Sequence, residues 1–242
     1  PRLAVVQKKS VCVLEAGRYH HERSFSSDEM SGMSRVYMSG GMQTATDPGW
    51  KKLPPHQHRE ITVLQPSAVG GGGLINNAVC FRMPKPRFDA WKNVGFPVDE
   101  ADLNAAYDAV ADELGIVPAS QALKAKGRLN PMGELLGKTL GKPKPHPAEL
   151  PNVPGFYECN VNIGKGRKCT GCGYCNLGCS FEAKNNSLQI HLAQAIDAGA
   201  EVFQLAHVDA LTFDSASKVR GALVTINDTN YEVQADEFVV AC

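Results

Sequence analysis

The sequence lacks an excess of charge of either sign. It contains 25 Lys and Arg residues against 25 Asp and Glu residues, so its formal net charge is +0. Proteins that bind nucleic acids cluster basic residues to neutralise phosphates, and this balance argues against such a partner. The sequence also lacks an apolar run of the roughly 18 residues that a membrane-spanning helix needs. We therefore expect no nucleic-acid partner and no membrane span in this chain.

Glycine is missing from the first 14 residues, where it would matter most. In the segment Val11–Gly17, a short apolar run ends at the acid Glu15 and is followed by a small residue and a glycine. This pattern predicts a buried parallel strand with a carboxylate at its C-terminal end. Basic residues before it indicate the end of a helix. Helix, strand and acid form the second half of a dinucleotide-binding βαβ unit, whose G-x-G-x-x-G stands about 20 residues before the acid. We expect the first βα unit to lie outside this sequence, which would be a segment of a longer protein.

Apolar periodicity and turn residues predict the remaining elements. Asp99 and Gly115 bound one helix, whose apolar stripe is Leu103, Tyr107, Val110, Ala111 and Leu114. A second helix begins near Asn186 and ends at Gly199, with Leu188, Leu192, Ala195 and Ile196 on its buried face. Residues 18–60 indicate a long irregular excursion. The predicted C-terminal strands, joined by hairpin turns, are Val202–Phe213, Val219–Ile226 and Tyr231–Val240, and residues 235–242 continue as a buried-strand pattern.

Four consecutive glycines, Gly70–Gly73, lie between apolar segments. Such a tract lets the backbone approach a ligand closely, and its free N–H groups suit a pyrophosphate. A flexible linker is the alternative, although linkers of this kind are usually flanked by polar residues. Glu15 is either an ordinary polar residue at a strand end or a carboxylate that accepts both hydroxyls of a ribose.

Four of the eight cysteines fall within one short segment. Cys169, Cys172, Cys175 and Cys179 have the spacing C-x2-C-x2-C-x3-C, which is the iron–sulfur spacing of ferredoxins. Ser180 stands where ferredoxins usually have Pro. A zinc site, a disulfide pair and thiols that only pack a glycine-rich loop are the alternatives. Clustered thiols favour a reducing compartment or a cofactor over a disulfide scaffold, which makes the cytoplasm the favoured location.

Two of these segments together resemble the glucose–methanol–choline (GMC) family of FAD-dependent oxidoreductases. They are Val13-Leu14-Glu15-Ala16-Gly17 and Gly70-Gly71-Gly72-Gly73-Leu74-Ile75-Asn76, and Phe238–Cys242 fits the family as well. Pro66-Ser67 departs from the usual Gly-basic pair. The resemblance implies an α/β fold: an incomplete FAD-binding Rossmann-like domain with part of a second, substrate or cap domain. Residues 1–84 would belong to the FAD-binding domain, 85–165 to the cap region, and 166–242 to the cysteine-rich segment and the return to the FAD-binding domain.

The resemblance also implies roles for individual residues. Glu15 would bind the adenosine ribose of FAD, and Val208 would touch the adenine through its backbone. The phosphates and the flavin would lie against Gly71, Gly72, Gly73, Asn76 and Asn77. The family's catalytic His would lie outside this chain.

The implied function is oxidation of a CH–OH group in an alcohol, sugar or sterol by hydride transfer to the flavin. A dehydrogenase is favoured, with an iron–sulfur cluster at the four clustered cysteines passing electrons to an external acceptor such as a cytochrome or a quinone. The alternatives from other classes are an iron–sulfur electron-transfer module without flavin and a zinc-stabilised binding module.

Overall fold

The computed structural model describes residues 1–46, 49, 52–54, 57, 60–124, 131–141, 144, 158–164, 169–215 and 217–241. This part of the chain contains both helices and strands, mixed along the sequence, which agrees with the predicted α/β class. Within these ranges no helix combines the length and the apolar character needed to cross a membrane.

The strands of the described residues fall into small sheets. In chain order they are β1 (Cys12–Glu15), β2 (Gln43–Thr46), β3 (Glu60–Val63), β4 (Val79–Cys80), β5 (Val117–Pro118), β6 (Asn160–Val161), β7 (Glu201–Gln204), β8 (Ala206–Phe213), β9 (Val219–Ile226) and β10 (Thr229–Gln234). The α-helices are α1 (Glu29–Val36), α2 (Gly71–Ile75), α3 (Lys85–Asn93), α4 (Glu100–Leu114), α5 (Ala119–Lys124), α6 (Pro131–Leu140) and α7 (Ala193–Asp197).

The parallel strand predicted to end at Glu15 is confirmed, but its predicted burial is wrong, because Cys12 is exposed and the other residues of β1 are only half-buried. Strand β1 pairs in parallel with β7, and Glu15 lies opposite Gln204 at the end of the pair. A π-helical turn, Leu188–Leu192, runs directly into α7, and the chain then turns at Gly199 before it enters β7. Helix followed by parallel strand is the unit from which a Rossmann-like sheet is built. Small alanine side chains let α7 pack closely against the N-terminal π-helical turn Arg2–Val6, and Ala4, Ala195 and Ala200 form this contact.

The prediction of a single strand over Val202–Phe213 is wrong. Leu205 has a φ of 55°, which divides the segment into β7 and β8. Its backbone N–H donates to Gly17 O at 3.1 Å, so the first half belongs with β1 while the second half joins an antiparallel sheet of order β10-β9-β8. Asn227 and Asp228 both have positive φ, which is the geometry of a two-residue hairpin turn, and the hairpin predicted there is confirmed.

The last strand ends earlier than the apolar pattern over Tyr231–Val240 predicts. Strand β10 ends at Gln234, and residues 235–241 form no strand. Val239 and Val240 are 75% and 70% exposed. A strand forms only where a neighbour accepts its backbone hydrogen bonds, and no strand among the described residues pairs with this segment. The expectation of a buried strand at 235–242 is therefore wrong over the residues described.

The helix predicted between Asp99 and Gly115 is confirmed as α4, with Gly115 at its C-cap in the left-handed conformation. Its stripe is only partly buried, and Val110 is exposed. Ile196 on α7 is exposed as well, contrary to prediction. Residues 18–60 are more regular than expected, because they contain α1 and β2, and β2 pairs in antiparallel with β3, which begins at the last residue of this segment. The division into residues 1–84, 85–165 and 166–242 stays a prediction.

Candidate functional site

Gly17 joins the end of β1 to the segment that precedes the glycine tract. A Cβ at Gly17 would overlap the backbone of Ser67 and Ala68, so only glycine allows the two segments to pack this closely. The next residue, Arg18, forms a parallel bridge with Ala68, and Arg18 O accepts the N–H of Val69 at 3.0 Å. Two motifs separated by more than fifty residues in sequence are therefore neighbours in the fold.

Glu15 occupies the C-terminal end of β1 and is half-buried. Its Oε1 accepts the backbone N–H of Gly17 at 2.6 Å, which fixes the orientation of the carboxylate. No described residue donates a side-chain or backbone hydrogen bond to its Oε2. An oriented carboxylate at the end of a parallel strand has the chemistry needed to accept hydrogen bonds from a sugar diol.

The glycine tract forms the start of a helix instead of an open loop. Gly70 has a φ of 105° and forms the N-cap of α2, and Gly71 is the first residue of the helix. A Cβ at Gly71 or Gly72 would meet no atom within 4 Å, so both residues border open space. Gly73 differs, because its Cβ would lie 3.3 Å from Oγ of Ser187. The tract thus presents bare backbone on one side and packs against the protein on the other.

The remaining residues predicted to hold FAD lie in two places. Asn76 follows α2, and its Oδ1 accepts the N–H of Ala78 at 3.1 Å, while Asn77 is exposed. Val208 lies on β8, opposite Val224 on β9, and is exposed. Strand β8 also packs against β1, where Leu14 lies against the apolar cluster that contains Ala206 and Val224.

Lys184 is a site residue that sequence reasoning missed. Its side chain is among the most deeply buried in the described chain, with 1% of the residue exposed. The ammonium donates to Leu74 O at 2.7 Å, Asn76 O at 2.7 Å and Cys175 O at 2.6 Å. Burial lowers the pKa of Lys184 to about 8, although the nearby thiols of Cys175 and Cys179 act in the opposite direction. The sequence offered one indication of this role, which is that Lys184 is a single basic residue between the neutral residues Ala183 and Asn185.

Residues Cys169–Cys179, which we call the cysteine segment, lie beside α2. Lys184 joins the two, because its ammonium donates hydrogen bonds to carbonyls of both. Backbone N–H groups of Gly171 and Ala183 donate to Sγ of Cys169 and Cys179, at 3.4 and 3.3 Å. Burial raises the pKa of the Cys175 thiol, the Lys184 ammonium lowers it, and the other three clustered cysteines raise it further. Among the described residues, no three His, Cys, Asp or Glu side chains are gathered so that they could hold a metal ion. The structure brings the four thiols into one segment without forming a metal-binding group.

A small cavity opens between α2 and the cysteine segment. Its lining includes His20, Leu74, Cys179 and Gln189. His20 Nε2 and Gln189 Oε1 are buried and have no hydrogen-bond partner. Burial is the main reason that the pKa of His20 is lowered. Polar atoms of this kind can bind an ordered water or a polar ligand atom.

A comparison with protein families identifies the chain. The model of the GMC oxidoreductase N-terminal region matches residues 33–242, which is most of the sequence. The chain belongs to the GMC oxidoreductase family. This match includes the glycine tract, Lys184 and the cysteine segment.

Curated relatives of this GMC oxidoreductase are distant and much longer. A long-chain-alcohol oxidase of Arabidopsis thaliana is 26% identical over 195 residues, covering 79% of this chain and 22% of the relative. A second long-chain-alcohol oxidase of the same plant is 22% identical over 240 residues, 96% of this chain and 29% of the relative. An uncharacterised GMC-type oxidoreductase of Mycobacterium tuberculosis is 28% identical over 236 residues, 96% of this chain and 33% of the relative.

Solved structures support the same fold. An FAD-dependent oxidoreductase from Chaetomium thermophilum superposes with a TM-score of 0.62 at 14% identity, covering 96% of this chain and 41% of that one. Pyridoxine 4-oxidase from Mesorbium loti superposes with a TM-score of 0.54 at 16% identity, covering 97% and 45%. These likenesses confirm the predicted α/β architecture of an FAD-binding domain. The chain spans less than half the length of each of these relatives.

Proposed function

We propose that this GMC oxidoreductase uses FAD to oxidise a CH–OH group of an alcohol, and that the described chain holds part of the cofactor. The observation that carries the proposal is the tight contact of Gly17 with Ser67 and Ala68. This contact brings the end of β1, which carries Glu15, against the segment that leads into the glycine helix α2. It supports a single cofactor that uses both the Glu15 carboxylate and the bare backbone of the glycine tract.

The residues present fit FAD on three observations. Glu15 has one oxygen fixed by the Gly17 N–H and a second that no described residue occupies. The positions of Gly71 and Gly72 border space that a side chain would enter, and a cofactor could lie against them. Val208 is exposed on a strand that packs against β1.

The chain's own residues would bind and orient the cofactor. Glu15 would accept hydrogen bonds from the ribose hydroxyls through its free carboxylate oxygen, which fixes the adenosine end. Helix α2 would present its backbone to the phosphates and the flavin, because glycine leaves no Cβ in the way. When bound, FAD supplies a hydride acceptor for the oxidation of the substrate carbon. The proton of the substrate hydroxyl would go to a His of the family's catalytic pair, which we expect outside this chain.

The substrate class is an alcohol, with a long-chain alcohol favoured over a sugar or a sterol. Two relatives are long-chain-alcohol oxidases, and this supports the assignment at low identity. The names of these relatives also favour reduction of oxygen over transfer to a cytochrome or a quinone. Assays with oxygen and with a quinone as alternative acceptors separate an oxidase from a dehydrogenase.

The iron–sulfur cluster at Cys169, Cys172, Cys175 and Cys179 stays a prediction. Its support is the ferredoxin spacing and the N–H groups that donate to two of the sulfurs. Against it, the thiols as placed do not form a metal-binding group. We therefore derive no step of the reaction through a metal. Iron and zinc analysis of anaerobically purified protein tests the cluster, and the absence of both metals would refute it.

The test of FAD binding is the Glu15→Gln variant. The substitution keeps an acceptor for the Gly17 N–H and removes the charge that would bind the ribose. Hydrogen bonds to charged groups contribute about 1.5–3 kcal/mol, so we expect FAD to bind on the order of ten- to a hundredfold more weakly. Isothermal titration of the full-length apoprotein with FAD measures the affinity, because part of the cofactor site is expected outside this sequence.

Glu201→Gln is the matched control, because Glu201 is an exposed acidic residue on the neighbouring strand β7. It should leave the FAD affinity unchanged. Equal affinities of wild type and Glu15→Gln would refute the role of Glu15. A purified protein that contains iron but shows no flavin absorbance would instead support the electron-transfer module, and a colourless zinc protein would support the binding module.

A further inference from the structure

We infer that Lys184 is a positioning residue for FAD, which holds the glycine helix α2 in place and makes FAD binding depend on the cysteine segment. The inference rests on the proposed function, because it concerns the same cofactor site. It assigns Lys184 a role through α2, without contact between Lys184 and the cofactor.

Helix α2 is intrinsically weak. It has five residues, of which the first three are glycine. Short helices do not persist without tertiary support, and glycine is among the least favourable residues in a helix. The open space beside Gly71 and Gly72 removes further packing from its first turn. Such a helix presents a defined backbone surface only if its other end is held.

Lys184 supplies that support at the C-terminal end of α2. Its ammonium binds the carbonyl of Leu74 within the helix and that of Asn76 directly after it. The last carbonyls of a helix have no partner within the helix, and a cation there also complements the helix dipole. The apolar side chains of Leu74 and Ile75 are buried on the same helix, so the bare glycine surface is fixed relative to the core.

The third hydrogen bond of Lys184 connects α2 to the cysteine segment. It goes to Cys175 O, and two residues later Leu177 packs into the same apolar cluster as Leu74 and Ile75. The segment is held further by Gly178, where a Cβ would overlap the ring of Phe25. A displacement of the cysteine segment would therefore move the Cys175 carbonyl, which accepts a hydrogen bond from the Lys184 ammonium. The ammonium would shift with it and would displace α2.

The first test is Lys184→Met, which keeps most of the side-chain volume and removes the charge. We expect FAD to bind at least about tenfold more weakly and the visible circular dichroism of bound flavin to change. Lys218→Met is the control, because Lys218 is an exposed lysine on the loop between β8 and β9. If Lys184 only stabilised the folded protein, the melting temperature of Lys184→Met would fall, while its FAD affinity and flavin spectrum would stay as in wild type. That result would overturn the inference.

Lys184→Gln is a second variant for the case in which Lys184→Met does not fold. Its amide can donate to one carbonyl but cannot span all three, so it should also weaken FAD binding. Wild-type affinity in a folded Lys184→Gln protein would count against the inference as firmly as in Lys184→Met.

A double-mutant cycle tests the dependence on the cysteine segment. Gly178→Ala displaces the segment against Phe25 and should weaken FAD binding when Lys184 is present. In the Lys184→Met background the same substitution should have a smaller effect, because the hydrogen-bonded connection is broken and only the packing of Leu177 against Leu74 and Ile75 remains. Additive effects would refute the transmission through Lys184. All of these variants are measured in the full-length protein, because we expect the first βα unit to lie outside this sequence. If the full-length wild-type protein binds no FAD at all, the proposed function fails, whereas wild-type binding with unaffected Lys184 variants rejects this inference alone.

Discussion

Replacement of Gly72 by alanine should make the apoprotein more stable and make FAD bind more weakly. Gly72 lies within α2, and a Cβ built there meets no atom within 4 Å. The added methyl group therefore disturbs nothing in the apoprotein. It enters the space in which we expect the cofactor to lie against the glycine backbone. The Gly72→Ala variant therefore tests whether glycine is needed at this position for the fold or for binding the cofactor.

The two effects have opposite signs and measurable sizes. Alanine is favoured over glycine within a helix by about 1 kcal/mol, so the free energy of unfolding of the apoprotein should rise by about that amount. In the holoprotein, the methyl group must displace the cofactor or shift α2. A tenfold loss of affinity corresponds to about 1.4 kcal/mol, and we expect a loss of at least that size.

Urea unfolding of the apoprotein measures the first effect, and titration with FAD measures the second. The matched control is Gly137→Ala in helix α6, where a Cβ also meets no atom within 4 Å. Gly137→Ala should stabilise the apoprotein similarly and leave the affinity for FAD unchanged. If Gly72→Ala binds FAD as tightly as wild type, the cofactor does not lie against α2 and the reasoning about the glycine tract is refuted.

Three further changes test the structure of the site. Gly17→Ala should destabilise the protein by about 3 kcal/mol, because its Cβ would overlap the backbone of Ala68; a loss below about 0.5 kcal/mol in urea unfolding would contradict this contact. Lys184→Met should also cost about 3 kcal/mol, since one buried and two partly buried carbonyls lose their donor while the cost of a buried charge is relieved, and Lys218→Met should stay within about 0.5 kcal/mol. His20 has a lowered pKa, so the folded state binds fewer protons than the unfolded state, and stability should fall as the pH drops below about 6.5. His20→Gln should flatten this pH dependence, and an unchanged slope would show that another group titrates.

Local sequence patterns predicted the elements that depend on neighbours along the chain. The C-cap of α4 at Gly115, the apolar run of β1 and the Asn227-Asp228 turn are all governed by residues within a few positions. Asp99 lies at the N-cap of α4 as predicted, but its side chain makes no capping hydrogen bond. The break at Leu205 was missed because it depends on a hydrogen bond to Gly17, far away in sequence. Val239 and Val240 were misassigned because strand propensity does not indicate whether a partner strand is available.

The candidate site shows the same division. The sequence alone determined the carboxylate after a strand, the glycine tract and the spacing of the cysteines, since these are matters of residue type and order. Only the tertiary structure decided that Gly17 packs against the segment before α2, that the glycine tract begins a helix, and that Lys184 is buried against three carbonyls. The physical reason is that burial of a charge and close backbone contact depend on segments distant in sequence, and no local pattern encodes where those segments meet.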